Sequence, residues 1–371
     1  MRILLIGEAS FVHNTLQQEL RARGHEVTLM SDGNDWHNSP RDIDLRRNLD
    51  EGKWGGLKVM WRLLKALPHL KGFDIVQITN PNCIPLRVRW TQQLLKWLCD
   101  GGAKLVMGCF GDDALVMERQ QAGALQYCDT YWSGKRQMQQ ENAERIATNL
   151  HPEIQNAHRF TSALATNLVA CLYEYYKLYD IAPYTEKLHY IPLPITLPSA
   201  EEVRVKGTSF PLRILIGIQR KRDYMKGAQR IASWLERVAQ EAPGKILLMR
   251  AEDVPYAEYC RLLEEADVLV DQLYSYTPAM NALAAMARGT VVIGGGEEEY
   301  YHFIGEGEMR PIINVRPDRP EESLQTLRTS LLTPGRVAEL SRQSRAFVEK
   351  YHDARRVAKH YEVLYSKIMQ Q

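Results

Sequence analysis

Short apolar runs alternate along the chain with longer stretches in which apolar residues recur three and four positions apart. In the first half the runs fall at residues 3–6, 27–30, 75–78, 105–107, 130–132 and 188–191. They are too short for helices and continuously apolar, as strands covered on both faces are, and the amphipathic stretches between them suit crossover helices. From 192 to 208 the pattern breaks, with prolines at 192, 194 and 198 followed by the charged segment 201–206. That composition predicts a linker at 196–208. Beyond it the alternation restarts, with runs at 213–217, 245–249, 268–270, 291–293 and 312–315, and it closes in two amphipathic helices after Pro334. The pattern therefore predicts an α/β protein with two Rossmann-like, doubly wound parallel-sheet domains. Their expected bounds are 1–195 and 209–345, with a C-terminal helix over 346–371 that packs back on the first domain.

A length of 371 residues supports two domains, since single domains run to about 100–200. Charge adds an exclusion: 47 Lys and Arg stand against 45 Asp and Glu with no basic tail, so nucleic acid is not an expected partner. Six cysteines are scattered without a CxxC pair, which points to reduced thiols rather than a metal centre. The apolar run after Arg2 is four residues long, short of a signal-peptide core, and no other run approaches the ~20 residues of a membrane span. A cytoplasmic protein is expected.

Candidate chemistry concentrates in the second half. Gly217-Ile-Gln-Arg220-Lys221-Arg222-Asp-Tyr-Met-Lys226-Gly227 follows one strand, and the carboxyl end of a strand is where open parallel sheets bind ligands. Crowded cations there suit a diphosphate, or else a solvated charged loop. Asp271-Gln-Leu-Tyr-Ser-Tyr276-Thr277-Pro278-Ala279-Met-Asn281 follows another strand and leads into a helix. Thr277 is a suitable N-cap and Pro278 suits the first helical position, so free N–H groups at this helix start would offer a phosphate seat.

These motifs resemble the retaining GT-B glycosyltransferases that use nucleotide-diphosphate sugars. In that family an Arg follows the first strand of the second domain and a Lys-Gly comes several residues later, as Arg220 and Lys226-Gly227 do here. The resemblance implies that Arg220 and Lys226 hold the diphosphate and stabilise the charge that grows on it. It also implies donor contacts from Gly217, Asp271, Tyr276, Thr277, Pro278, Ala279 and Asn281. Leu283-Ala-Ala-Met286-Ala287-Arg-Gly289 matches the frame of the family's paired-glutamate motif, but Tyr276 and Ala284 occupy the two glutamate positions. Asp271 or the run Glu297-Glu298-Glu299 could supply a carboxylate instead, although that run also reads as a solvated acidic helix start.

In the first half, Gly7-Glu8-Ala9-Ser10 follows the first strand and lacks the GxGxxG of dinucleotide-binding domains. The resemblance places this loop on the acceptor side of an interdomain cleft. Gly111-Asp112-Asp113 resembles the family's Gly-Ser-Asp turn, where Asp113 would act as a base or cap the next helix. His13 and His25 have no acid paired with them in sequence and read as structural. The stretch 54–70 mixes Trp54 and Trp61 with Lys58, Arg62 and Lys65, which suits packing on a sheet or peripheral contact with an anionic membrane.

The resemblance implies a hexosyltransferase-like enzyme moving a sugar to a glycan or lipid-linked acceptor, with retention. It implies neither a metal nor a cofactor beyond the nucleotide-sugar co-substrate. The loss of both glutamates keeps open a catalytically silent GT-B binding or partner protein, and the architecture also admits a sugar-nucleotide epimerase.

Overall fold

A computed structural model of the chain describes residues 1–33, 38–134, 136–220 and 223–371. The chain divides into two compact units. The first comprises Met1–Ala122, Glu144–Pro194 and Ala354–Gln371, and the second Gly123–Ala143 and Ile195–Asp353.

Numbered along the chain, the strands are β1 (Arg2–Ile6), β2 (Glu26–Ser31), β3 (Ile43–Asp44), β4 (Ile75–Ile78), β5 (Lys104–Cys109), β6 (Trp132–Ser133), β7 (Arg136–Gln137), β8 (Asn167–Ala170), β9 (Leu188–Tyr190), β10 (Leu212–Ile218), β11 (Ile246–Glu252), β12 (Val268–Val270), β13 (Val291–Gly294) and β14 (Ile312–Asn314). The helices are α1 (Val12–Ala22), α2 (Gly52–Ala66), α3 (Val88–Asp100), α4 (Ala114–Gln121), α5 (Ala143–Asn149), α6 (Pro152–Leu164), α7 (Tyr173–Tyr179), α8 (Asp223–Lys226), α9 (Ala228–Glu241), α10 (Tyr256–Glu265), α11 (Met280–Ala287), α12 (Glu298–Phe303), α13 (Pro320–Leu332), α14 (Arg336–Tyr351) and α15 (Ala354–Gln370).

Unit 1 holds a sheet of seven strands among the described residues, in the order β3-β2-β1-β4-β5-β8-β9, with every neighbouring pair parallel. Ile3 to Ile6 are fully buried, as expected of a central strand covered on both faces. The last helix, α15, buries Val357, Tyr361, Leu364 and Tyr365 in this unit and packs against α1.

Unit 2 holds a parallel sheet in the order β11-β10-β12-β13-β14. Its core runs from the strand residues Ile214, Ile216, Val268 and Ile293 to Ile231 and Leu235 of α9 and Leu324 and Leu327 of α13. The amphipathic spacing of α9 puts Ile231, Leu235 and Val238 on one buried face.

The strand expected at 130–132 is not in either parallel sheet. Trp132–Ser133 instead pairs antiparallel with Arg136–Gln137 in a small hairpin of unit 2. Thr130 and Tyr131 are buried, at 0% and 1% exposure, although they lie outside both parallel sheets. The sheet position between β5 and β9 belongs to β8, whose four residues the pattern did not mark.

Candidate functional site

In unit 2 the strand order reverses beside β10, with β11 on one side and β12 on the other. Helices that follow the two strands flanking such a reversal leave a crevice at their carboxyl ends, the usual ligand position in open parallel sheets. β10 ends at Ile218 and β12 at Val270, so Arg220 and Lys226-Gly227 on one side and the segment 271–281 on the other follow the same end of adjacent strands. Two regions about fifty residues apart in sequence are therefore brought together by strand pairing.

Their contact is direct. The Leu273 N–H donates to the Lys226 carbonyl over 2.8 Å. Gly227 has φ +69°, and a Cβ there would lie 2.9 Å from the Leu273 Cβ and 3.0 Å from the Tyr274 ring. Only glycine allows this turn to lie so close to the loop after β12. Behind the loop, a Cβ on Gly295 would overlap the Ser275 carbonyl, so the Gly294-Gly295-Gly296 run lets β13 close against it.

Asp271 is buried at the end of β12. Burial pushes its carboxyl up to about 6, against the opposing pull of Lys226 and of the Ala279 N–H that it accepts. An anion arriving at this point would meet Lys226 and the start of α11 beside a carboxylate that burial makes easier to protonate than an ordinary one. Arg220 is exposed, and its Nη2 pairs with Glu252 Oε2 at the end of β11 over 2.9 Å. Hydrogen bonding and charge from Glu252 raise its pKa further. An exposed pair of this kind contributes little to stability. Lys221 and Arg222, the remaining cations of the run, lie outside the described residues. Gly217 lies under the Tyr259 ring, whose hydroxyl accepts from the Asn281 amide over 2.8 Å.

The helix start differs from the expected one. Helix α11 begins at Met280 with Ala279 as its N-cap and without a side-chain cap, so neither Thr277 nor Pro278 fills the position assigned to it. Both are buried in the loop ahead of the helix. The Ala279 N–H is taken by the Asp271 carboxylate, so the strand end satisfies a donor that Thr277 would otherwise have capped.

The two positions where the resemblance expects glutamate have different fates. Ala284 sits half-buried on α11 and offers no polar atom. Tyr276 is 3% exposed, and its hydroxyl accepts the N–H groups of Gln126 (3.0 Å) and Tyr127 (3.2 Å), while the two tyrosine rings stack at 4.6 Å. Tyr276 thus anchors the Gly123–Ala143 segment to unit 2. Glu297 belongs to the same anchor: it accepts from the Tyr127 hydroxyl (2.7 Å), the Asn314 amide (3.1 Å) and Arg316 (3.0 Å). It is not the solvated acid its sequence suggests. Sequence reasoning missed Tyr127, which lies 149 positions before Tyr276 and carries no motif.

In unit 1 the strand order reverses between β1 and β4, and Gly7 to Ser10 follow β1 at that point. Gly7 has φ +83°, with the Thr79 hydroxyl where a Cβ would project. Ser10 and Phe11 are left-handed at φ 50° and 69°. Glu8 accepts the N–H groups of Ala9, His13 and Asn14, closing the start of α1, while burial raises its carboxyl to about 7. His13 is fully buried and held down to about 4 by that burial. Its Nδ1 donates to the Gly7 carbonyl (2.8 Å), so its Nε2 accepts from the Gln77 amide (3.2 Å), whose oxygen accepts from Tyr365 (2.7 Å).

Asp112 is held by Nε and Nη2 of Arg145 at 2.5 and 2.6 Å. Asp113 is 1% exposed, caps α4 through the Val116 N–H (2.9 Å) and accepts from the Tyr179 hydroxyl, which meets His158. Its geometry is that of the cap rather than of an acceptor-facing base. Gly111, at φ +123°, provides the turn before it.

Two Rossmann-like parallel sheets, each with a ligand crevice at its strand reversal, define the GT-B class of fold, and the chain has that fold. No protein-family model matches the chain, and no curated protein matches it in sequence. Among solved structures it is similar to the sucrose-phosphate synthase from Thermosynechococcus elongatus, with TM-score 0.61 and 14% identity over 100% of this chain and 99% of that one. It is also similar to HepE from Anabaena in complex with UDP and glucose, with TM-score 0.54 and 12% identity over 98% and 99% of the two chains. A third similarity, with TM-score 0.56 and 12% identity over 97% and 98%, is to WaaG, a glycosyltransferase involved in lipopolysaccharide biosynthesis.

Proposed function

We propose that this chain is a glycosyltransferase whose donor, a nucleotide-diphosphate sugar, binds in unit 2 at the strand reversal between β10 and β12. The observation that carries this reading is the contact of Lys226 with the Asp271–Asn281 loop, at the sheet end where β10 also leads into Arg220. Lys226 and the N–H groups opening α11 would receive the diphosphate, and Arg220 would exchange Glu252 for it. These fixed donors would stabilise charge developing on the leaving diphosphate, the role that a metal ion fills in other phosphate chemistry. Retention and a glycan or lipid-linked acceptor belong to the same reading. UDP is the first nucleotide to try, since HepE, similar in fold, was solved with UDP and glucose.

A second reading rests on Tyr276 and Ala284. With one glutamate position built into a structural anchor and the other reduced to a methyl group, a GT-B protein that binds nucleotide without turnover is supported as well.

A thermal-shift screen against UDP, GDP, ADP, dTDP and CMP separates these cases, because a ligand of the native state raises its stability. A shift with one diphosphate that is lost in Lys226→Ala is the expected result. Donor hydrolysis should then fall about 100-fold in Arg220→Ala and Lys226→Ala. Binding without hydrolysis or transfer in the wild type would favour the silent protein, and no shift with any nucleotide would overturn the donor site.

A further inference from the structure

Helix α2 of unit 1 carries two apolar faces instead of one. At about 100° per residue, Gly55, Val59, Leu63 and Ala66 form one arc, and these are the helix's buried residues. Trp54, Leu57, Trp61 and Leu64 form a second arc, about 80° wide and centred roughly opposite the first. All four are exposed, Trp54 at 73% and Trp61 at 57%, and Leu49 just before the helix is exposed as well. Packing on the sheet therefore accounts for the first face alone. The helix is fixed in this orientation, since the Asn48 carbonyl lies where a Cβ on Gly55 would be.

The charges that the helix itself carries are of one sign. The helix has four cations, Lys53, Lys58, Arg62 and Lys65, and no acidic residue, in a chain whose charges otherwise nearly balance. Lys53 borders one edge of the arc and Lys65 and Lys58 the other, with Arg62 farther round toward the buried face. Lys65 Nζ lies 3.6 Å from the Trp61 ring centroid. Lys58 reaches Glu51 at 2.8 Å and Arg62 stands 3.9 Å from Asp44, both neighbours ahead of the helix.

We propose that this face of α2 docks on an anionic phospholipid bilayer. The apolar arc would enter the boundary between headgroups and acyl chains, with the two indoles at the interface and the bordering cations among lipid phosphates. A second copy of the chain fits poorly, since pairing through this face sets four cations against four. A protein partner would have to bury lysines that interface cores exclude. Among the described residues no helix is long and apolar enough to cross a membrane, so the contact is peripheral.

The test is flotation of the full chain with vesicles of phosphatidylglycerol and phosphatidylcholine, and of phosphatidylcholine alone, at low and high salt. The wild type should float with the anionic vesicles at low salt, and more weakly at high salt or on phosphatidylcholine alone. Trp54→Ser with Trp61→Ser should lower partitioning at least ~10-fold, because each indole contributes burial. Lys53→Gln, Lys58→Gln and Lys65→Gln should each lower it roughly fivefold. All five side chains are exposed, so the variants should keep the wild-type circular dichroism and nucleotide thermal shift. That separates failure here from failure of the donor site. Absence of wild-type flotation at low salt would overturn the proposal. So would undiminished flotation of the double Trp variant, or a dimer in sedimentation that this variant abolishes.

Discussion

Replacing Tyr276 by Phe isolates one oxygen atom. The ring stays, and with it the stacking on Tyr127 at 4.6 Å, so packing volume is nearly unchanged. What disappears is the acceptor shared by the Gln126 and Tyr127 N–H groups at 3.0 and 3.2 Å. A buried donor left without a partner costs about 1–3 kcal/mol. The Tyr127 N–H is buried and bears that cost in full, while the Gln126 residue is exposed and water can reach it. A loss of roughly 1–3 kcal/mol follows, carried mainly by the Tyr127 N–H. Urea unfolding of wild type and Tyr276→Phe measures it, and amide hydrogen exchange at 126 and 127 locates it. Stability within about 0.5 kcal/mol of the wild type would refute the assignment of Tyr276 as an anchor, since that is the spread of neutral surface changes. Tyr276→Glu, which puts back the carboxylate of the resembled family, should destabilise more than Phe does. Glu297 and Glu299 already act on this position electrostatically, and burial there disfavours charge.

Three further outcomes are expected. Ala284→Glu, on the half-buried side of α11, should fold with stability near the wild type and bind a nucleotide-sugar no more weakly, as binding isotherms would show. Gly227→Ala should cost roughly 2–4 kcal/mol, combining a left-handed φ with a Cβ 2.9 Å from Leu273, and should weaken nucleotide binding through displacement of Lys226. Because burial holds His13 down to about 4, the unfolded chain takes up a proton below about 6.5 that the native state refuses. His13 therefore contributes stability above that pH that is lost as pH falls toward about 4, roughly 3 kcal/mol in all. Glu8, raised to about 7 by burial, acts oppositely and loses its contribution as pH rises through that value. Subtracting the pH profile of His13→Phe from that of the wild type removes the Glu8 part. A difference that stays constant from pH 7 to pH 4.5 would contradict the buried neutral imidazole.

The apolar periodicity by itself determined the class of fold. Strands β1, β4, β10, β12 and β13 are short runs covered on both faces, and such runs are written locally, in consecutive residues. The same holds for Arg220 and Lys226-Gly227, whose place after a strand follows from chain order alone. Tertiary structure decided what lies beside what. It brought Lys226 against the loop after β12 and carried the Gly123–Ala143 segment into unit 2. It turned a run that looked like a strand at 130–132 into the lead-in and first strand of a small antiparallel hairpin, and gave the Ala279 N–H to Asp271 in place of Thr277. It also separated the two apolar faces of α2, which composition reads as one. Tyr127 and Tyr276 show the reason: a hydrogen bond between groups 149 residues apart leaves no period or spacing in the sequence, because its geometry exists only once the chain between them has folded.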